Sequence, residues 1–383
     1  MKKTIYYWTP AISRVGTIKT TINSAVSFAK FSKKYDVKII NVFGEWSRYK
    51  NYLKDHNVIV ENLTFDYYKY LPKYGFLSSR ISYIIIILLS VFPLIFLLKK
   101  KKPDFLIIHL LTSLPLILWN IFNFKTKLIF RISGFVRLHY IRKKLWNRSQ
   151  KKIYKILCQT EEQKNLFSSK NVFKINKPII IPDCIINLNE IKKNKKTNFK
   201  TFNNEYENFF IAVGRFSKQK NFIYLIKEFK TFSDKHPNEK LFIFGEGELK
   251  REMEKEIYNN NLSQKVKIFN FTEEIYYFMK KSKALIMPSI WEELCLVMVE
   301  AAMCNTLVIS SNCKSGPEEF LLNGNAGLLF KNNEKNDLAN KLSEFLKMNK
   351  DQILKKKILA KKNCKKFALL SHFLKLEKII AGD

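Results

Sequence analysis

"ALIMPSIWEELCLVMVEAAM", residues 284–303, reads as a strand, an exit loop and a helix. The apolar run of "ALIMPS" has no polar alternation, as in a strand covered on both faces. "IWEEL" then leaves the sheet, and a helix is expected to begin near Cys295 or Leu296. Leu294, Leu296, Val297, Met298, Val299, Ala301 and Ala302 all belong in a core. Two carboxylates bound this run: Glu292 ahead of the helix, and Glu300 inside it, just over one turn from its start. A polar group left unpaired in such surroundings costs roughly 1–3 kcal/mol. Glu300 therefore needs a partner, from the protein or from a ligand.

The same alternation extends outward in both directions. "FFIAVG", "KLFIFGEG", "VKIFNF", "LVISS" and "AGLLF" read as strands, and "NFIYLIKEFKTFSDKH", "ELKREMEKEIYNN" and "EIYYFMKKS" as helices. Upstream, "TIYYW", "DVKIINVF", "DFLIIHLL", "KLIFRIS", "KILCQT" and "PIIIP" are β-branched strands separated by helical patterns such as "TIKTTINSAVSFAKFSKKY". That order predicts parallel sheets with helices on both faces. "NLNEIKKNKKTNFKTFNNEYEN" interrupts it, polar and without periodicity, and reads as a linker. The expected organisation is α/β, with a Rossmann-like domain over 1–186, a linker over 187–208 and a second Rossmann-like domain over 209–365. A C-terminal helix over 366–383 is expected to return to the first domain. The tail "DQILKKKILAKKNCKKFALLSHFLKLEKII" reads as helical throughout. Two such sheets place ligands in a cleft at the carboxyl ends of their strands.

Four ordered motifs in the second half carry a family resemblance: "AVGRFSKQKN" (212–221), "FIFGEGELK" (242–250), "PSIWEELCLVMVEA" (288–301) and "SGPEEFLLNGNAGLLF" (315–330). Together they resemble the retaining, nucleotide-sugar-dependent glycosyltransferases of family 4. That family has the GT-B fold, in which two Rossmann-like domains face each other across a cleft, and acts in cell-surface polysaccharide and lipopolysaccharide assembly. The first half resembles the family in layout only.

The chemistry of the residues agrees with that resemblance. Arg215 and Lys220 follow a strand, where their fork and point charge suit the two phosphates of a leaving nucleoside diphosphate. Gly214 and Gly245 allow close approach of backbone or nucleoside. The helix start offers the backbone N–H groups of Leu296 and Val297 and a favourable dipole to a phosphate. Glu292 and Glu300 form the family's Glu-x7-Glu pair. By resemblance Glu292 contacts hydroxyls of the transferred sugar, Glu300 accepts from the ribose, and Glu319, in Pro-x-Glu, helps shape the sugar pocket. The family's glycine-rich first loop is reduced to Gly16. Glu293 and Cys295 stand where glycines are usual, and Ser133 stands where many relatives carry histidine. Glu293 adds negative charge beside a diphosphate, and a histidine contact to the donor is lost.

No Asp-x-Asp occurs, and His56, His109, His139, His236 and His372 form no ligand cluster, so the expected chemistry is metal-independent and needs no cofactor besides the nucleotide-sugar co-substrate. His109, ending "DFLIIH", is expected in the core or in a hydrogen-bonded loop. The six cysteines show no metal-ligand spacing and read as reduced thiols of a cytosolic protein. The N-terminal apolar stretch before Pro10 is too short for a signal peptide.

The net charge is +35, with 59 lysines against 9 arginines. Residues 1–186 hold 33 Lys/Arg against 9 Asp/Glu. No acid lies between Asp104 and Glu161, whereas residues 125–155 contain eleven Lys/Arg. Such a field suits nucleic acid, anionic lipid or a phosphorylated acceptor. "ISYIIIILLSVFPLIFLL" (81–98) reaches about 27 Å, short of a hydrocarbon core of about 30 Å. It is read as a buried or membrane-grazing helix, a true span being the alternative. The expected partners are a UDP-, GDP- or ADP-sugar donor, a glycan or lipid-diphosphate-linked acceptor and an anionic membrane surface, with no nucleic acid. The expected location is the cytoplasm, peripheral on the inner face of the membrane. Two rivals remain: a GT-B protein without activity that serves in assembly, and a basic nucleic-acid binder.

Overall fold

The computed structural model describes residues 2–13, 15–72, 76–188, 208–313 and 316–382. The chain divides into two compact units, residues 1–185 with 367–383, and residues 186–366. Most of the expected linker, residues 189–207, lies outside the described residues.

The first unit runs β1 (Lys3–Trp8), α1 (Gly16–Phe31), β2 (Tyr35–Asn41), α2 (Lys50–Asp55), β3 (Ile59–Asn62), α3 (Phe76–Lys101), β4 (Phe105–Ile108), α4 (Ser113–Ile121), β5 (Lys127–Arg131), α5 (Tyr140–Ser149), β6 (Lys155–Cys158), α6 (Glu161–Ser169) and β7 (Ile179–Ile180). Every pairing is parallel, in the order β3-β2-β1-β4-β5-β6-β7. The central strands are buried on both faces: Ile5, Tyr7, Ile107 and Ile129 fill one core, and Tyr6, Trp8, Leu106 and Ile108 the other. Each such side chain contributes about 1.5–3 kcal/mol. The short edge strand β3, and the helices α2, α4, α5 and α6, are additions to the sequence reading.

The apolar segment 81–98 lies inside α3, which crosses from β3 at the sheet edge to β4 beside β1. The Ser79–Lys101 window is long and apolar enough to cross a membrane, with mean hydropathy 2.8, and a third of it is buried. Ser82, Ile86, Ser90, Leu94, Leu97 and Leu98 face the core. A spanning α3 would put β3 and β4 on opposite sides of a bilayer, yet both are strands of one parallel sheet. α3 is the crossover helix of this sheet.

The second unit runs β8 (Phe209–Val213), α7 (Phe222–Lys235), β9 (Lys240–Phe244), α8 (Lys250–Asn259), β10 (Val266–Phe269), α9 (Ile275–Lys281), β11 (Ala284–Met287), α10 (Leu296–Met303), β12 (Leu307–Ser311), α11 (Pro317–Phe320), β13 (Leu328–Phe330), α12 (Asp337–Lys347) and α13 (Lys350–Asn363). Its sheet is parallel in the order β10-β9-β8-β11-β12-β13. The order reverses between β8 and β11, which makes their carboxyl ends the switch point where ligands of open α/β sheets bind.

The tail is not helical throughout. α13, opened by an Asn349–Gln352 capping box, ends at Asn363, and a 3₁₀ turn follows over Cys364–Phe367. Ala368 is extended, with φ −77° and ψ 153°, before α14 (Leu369–Ala381). The break coincides with the passage between the two units. α14 packs on α1: Phe373 meets Phe28 edge-on at 5.2 Å, and His372 reaches Ser24.

Candidate active site

The loops leaving β8 and β11 meet at the switch point. After β8 the chain turns through Gly214, Arg215, Phe216 and Ser217 into a 3₁₀ turn over Lys218–Lys220. A Cβ on Gly214 would lie 3.2 Å from Lys220 Cδ and Cε, so the glycine leaves room for the lysine stem. Gln219 ties the two loops together: its backbone carbonyl accepts from Ile290 N at 2.9 Å, and its side-chain amide donates to the Trp291 carbonyl at 2.9 Å.

Lys220 Nζ donates to Glu292 Oε1 at 2.5 Å and lies 3.6 Å from Cys295 Sγ. Glu292 is buried, and both side chains of the pair are largely shielded from solvent. Burial would lower the Lys220 pKa, but the charges facing the ammonium outweigh it and hold the group above its ordinary value. Burial pushes the Cys295 thiol up to about 11, so it is neutral near pH 7. The Glu292 carboxylate is therefore the group that holds the ammonium. Arg215 is exposed, with Nη2 3.4 Å from Gln219 Oε1.

α10 starts where the sequence placed it, with Leu296 and Val297 in its first turn and Cys295 at its N-cap. Glu300, in its middle, is 8% exposed and accepts from Tyr276 Oη of α9 at 3.1 Å. The buried carboxylate thus has a protein partner without any ligand. Tyr276 is a residue that sequence reasoning missed, and its only signal was a tyrosine in the preceding helix.

The glycines hold this frame together. A Cβ on Gly245 would meet the Gly214 carbonyl oxygen at 1.9 Å, and one on Gly247 the Phe216 carbonyl oxygen at 2.4 Å. Phe216 N donates to Glu246 O at 2.8 Å, so "GEGE" clamps the loop that carries Arg215. Backbone packing against that loop thus accounts for the glycine at 245. Gly316, at φ +78°, would place a Cβ 1.7 Å from the Glu293 carbonyl oxygen and sets the "GP" turn against the β11 loop. Glu293 itself is buried. Glu319 lies in α11 with Oε1 3.8 Å from Lys366 Nζ. Ser217 Oγ and Ser289 Oγ, both buried in the loops after β8 and β11, have no hydrogen-bond partner among the described residues. Neither hydroxyl was singled out in the sequence.

Gly16 belongs to the first unit, where it opens α1 after the Val15 N-cap. In the same unit His109 follows β4 and is buried, with neither ring nitrogen paired among the described residues. Burial, then the charge of Arg131, holds its pKa well below the usual value, so it is neutral. Arg131 is buried against Asp183, and the Ser133 hydroxyl has no hydrogen-bond partner among the described residues. Among the described residues no group of three or more His, Cys, Asp or Glu side chains is placed to hold a metal ion. The six cysteines are buried and form no disulfide.

Comparison with known proteins agrees with this fold. Residues 193–363 match the family described as Glycosyl transferases group 1. An uncharacterized glycosyltransferase of Methanocaldococcus jannaschii is 32% identical over 255 residues, 61% of this chain and 62% of that protein. The N-acetylgalactosamine-N,N'-diacetylbacillosaminyl-diphospho-undecaprenol 4-alpha-N-acetylgalactosaminyltransferase of Campylobacter jejuni is 31% identical over 144 residues, 38% of this chain and 39% of that protein. The chain thus spans under two thirds of the length of both curated relatives. The structure of Anabaena HepE in complex with UDP and glucose is similar in fold, with TM-score 0.75 and 14% identity, covering all of both chains. The chain has the GT-B fold, two Rossmann-like lobes with parallel sheets, and through its second unit it is related to the glycosyl transferases of group 1.

Proposed function

We propose that this protein is a retaining glycosyltransferase that moves a sugar from a nucleoside-diphosphate-sugar to a lipid-diphosphate-linked glycan acceptor. The observation that carries the reading is the Lys220–Glu292 pair at the β8/β11 switch point, with exposed Arg215 beside it. The Arg215 fork and the remaining Lys220 N–H groups supply fixed positive charge to a diphosphate as it leaves. Stabilisation of this kind is the largest single contribution in many enzymes. Glu292, oriented by Lys220, is left to accept from sugar hydroxyls. Glu300, oriented by Tyr276, is the acceptor for the ribose hydroxyls. The Ser217 and Ser289 hydroxyls and the α10 N-terminus are further groups for phosphate or sugar oxygens. Gly214 and Gly245 shape the floor, and Glu319 belongs to the sugar side. No carboxylate in the site is set out as a nucleophile, which favours a front-face path in which the leaving phosphate takes the acceptor's proton. The roles of these residues rest on the family resemblance and on this geometry.

The Campylobacter relative's name, a transferase to a diphospho-undecaprenol-linked sugar, supports the choice of acceptor. The basic segment 125–155 would face the anionic inner surface of the cytoplasmic membrane, where such an acceptor is presented. Nucleic-acid binding would use the same charge but gives no reason for Glu292 and Glu300. The test is incubation of the pure protein with radiolabelled UDP-, GDP- and ADP-sugars and a bacterial lipid extract. Label should pass to the organic phase from one donor class. Neither transfer nor donor hydrolysis with any donor would select the inactive assembly partner instead.

A further inference from the structure

A polar concavity lies in the first unit, at the amino-terminal edge of β5 and β6. His109, Ser133 and the loop before Gly16 lie at the other edge of the same sheet. It encloses about 410 Å³, and Lys125, Lys127, Lys151 and Lys152 stand around it. Its wall is aromatic: Trp119 and Phe124 lie 4.7 Å apart, and Lys127 Nζ sits 4.6 Å from the Tyr154 ring centre. Thr126, 3% exposed, is among its lining residues. Asp104, the acid next to this edge, is already engaged by Thr4 N at 2.7 Å and Thr4 Oγ1 at 3.0 Å. Lys152 Nζ donates to Asn123 Oδ1 at 2.6 Å and Lys127 Nζ lies over Tyr154, and the positive charge of the four lysines beside the hollow suits a phosphate.

What lies beside the hollow says where that phosphate comes from. Phe122 of its wall is capped by Lys99 Nζ of α3, 5.2 Å from the ring centre. From Lys99 backward, α3 presents an outward stripe of Ile84, Leu88, Phe92 and Phe96, with Phe92 80% exposed. Ile117 and Ile121 of α4, the helix leading into the hollow, are exposed too. An apolar face ending in lysines lies in the plane of a membrane interface, its side chains about 5–10 Å into the acyl boundary. We propose that the hollow seats the headgroup phosphate of an anionic phospholipid while the α3 stripe and the end of α4 enter the same leaflet. This deepens the membrane-facing part of the reading above, but needs neither donor nor transfer.

The test is flotation of the full chain with phosphatidylcholine vesicles, with and without phosphatidylglycerol. The protein should float with the anionic vesicles. Lys125→Ala with Lys151→Ala should weaken binding by roughly tenfold or more, since each lysine near the surface contributes appreciably. The charge-matched pair Lys33→Ala with Lys34→Ala should leave it unchanged. Phe92→Ser with Phe96→Ser, at exposed positions, should remove the part of binding that survives high salt. Equal losses in both lysine pairs would overturn the pocket, as would absence of flotation. Release of bound protein by glycerol phosphate or inorganic phosphate would assign the hollow to a soluble phosphate. Release by single-stranded RNA at matched charge would assign it to nucleic acid. Either result would overturn the lipid.

Discussion

Removing the Lys220 ammonium would leave Glu292 buried with no counter-charge in a place that water reaches poorly. Lys220→Ala should therefore cost about 3 kcal/mol of stability, measured by urea denaturation, as well as activity. Arg215→Ala removes an exposed side chain and should leave the urea midpoint unchanged while lowering turnover by about 10²–10³. Glu300→Gln and Tyr276→Phe probe the other carboxylate. Both should weaken nucleotide binding, Glu300→Gln more, because Tyr276 only orients it. A carboxylate in need of a partner was legible at 300 from its apolar neighbours. The partner was not, because Tyr276 comes from another helix, and the sequence does not state how α9 and α10 pack. Likewise Lys220 and Glu292 are 72 residues apart, joined by the adjacency of β8 and β11.

His372 offers a pH test at the same scale. Its ring accepts from Ser24 Oγ at 2.9 Å and donates to the Pro182 carbonyl at 3.1 Å. Burial, then Arg131, lowers its pKa from 6.5 to about 3. A histidine neutral in the fold and protonated when unfolded contributes stability that is full above 6.5 and is lost as pH falls toward 3. Between those values the wild type should lose about 1.4 kcal/mol more per pH unit than His372→Gln. Parallel stability curves would contradict the buried network.

At the scale of elements, the loop frame depends on glycines rather than on side-chain bonds. Gly316→Ala would bring a methyl onto the Glu293 carbonyl at φ +78°. It should destabilise the second unit by about 1–3 kcal/mol, seen as a lower thermal midpoint. Strands with unbroken apolar runs, such as "FFIAV" and "ALIM", were legible because burial on both faces leaves no other pattern. β3 was not, since an edge strand of four residues mixes exposed and half-buried positions. α3 was legible as an apolar helix, but its core-facing side was not, because both of its faces are apolar. The break at Ala368 carries no glycine or proline to announce it.

Over the whole molecule, strand–helix alternation points to parallel pairing in both sheets, whereas their doubly wound strand order is read from the structure. The charge of +35 is uneven, for residues 1–186 hold 33 Lys/Arg against 9 Asp/Glu. EDTA should leave transfer intact, as the motifs hold no Asp-x-Asp, and loss restored by Mn²⁺ would overturn that expectation. The central claim is that the β8/β11 switch point binds the diphosphate of a nucleotide-sugar. Its most direct test is calorimetric titration of the wild type and Arg215→Ala with UDP, GDP and ADP. One nucleotide should bind the wild type, and bind Arg215→Ala about 10-fold to 100-fold more weakly, the worth of a charge-assisted phosphate contact. Equal affinity in the two proteins, or no binding of any of the three, would contradict the account.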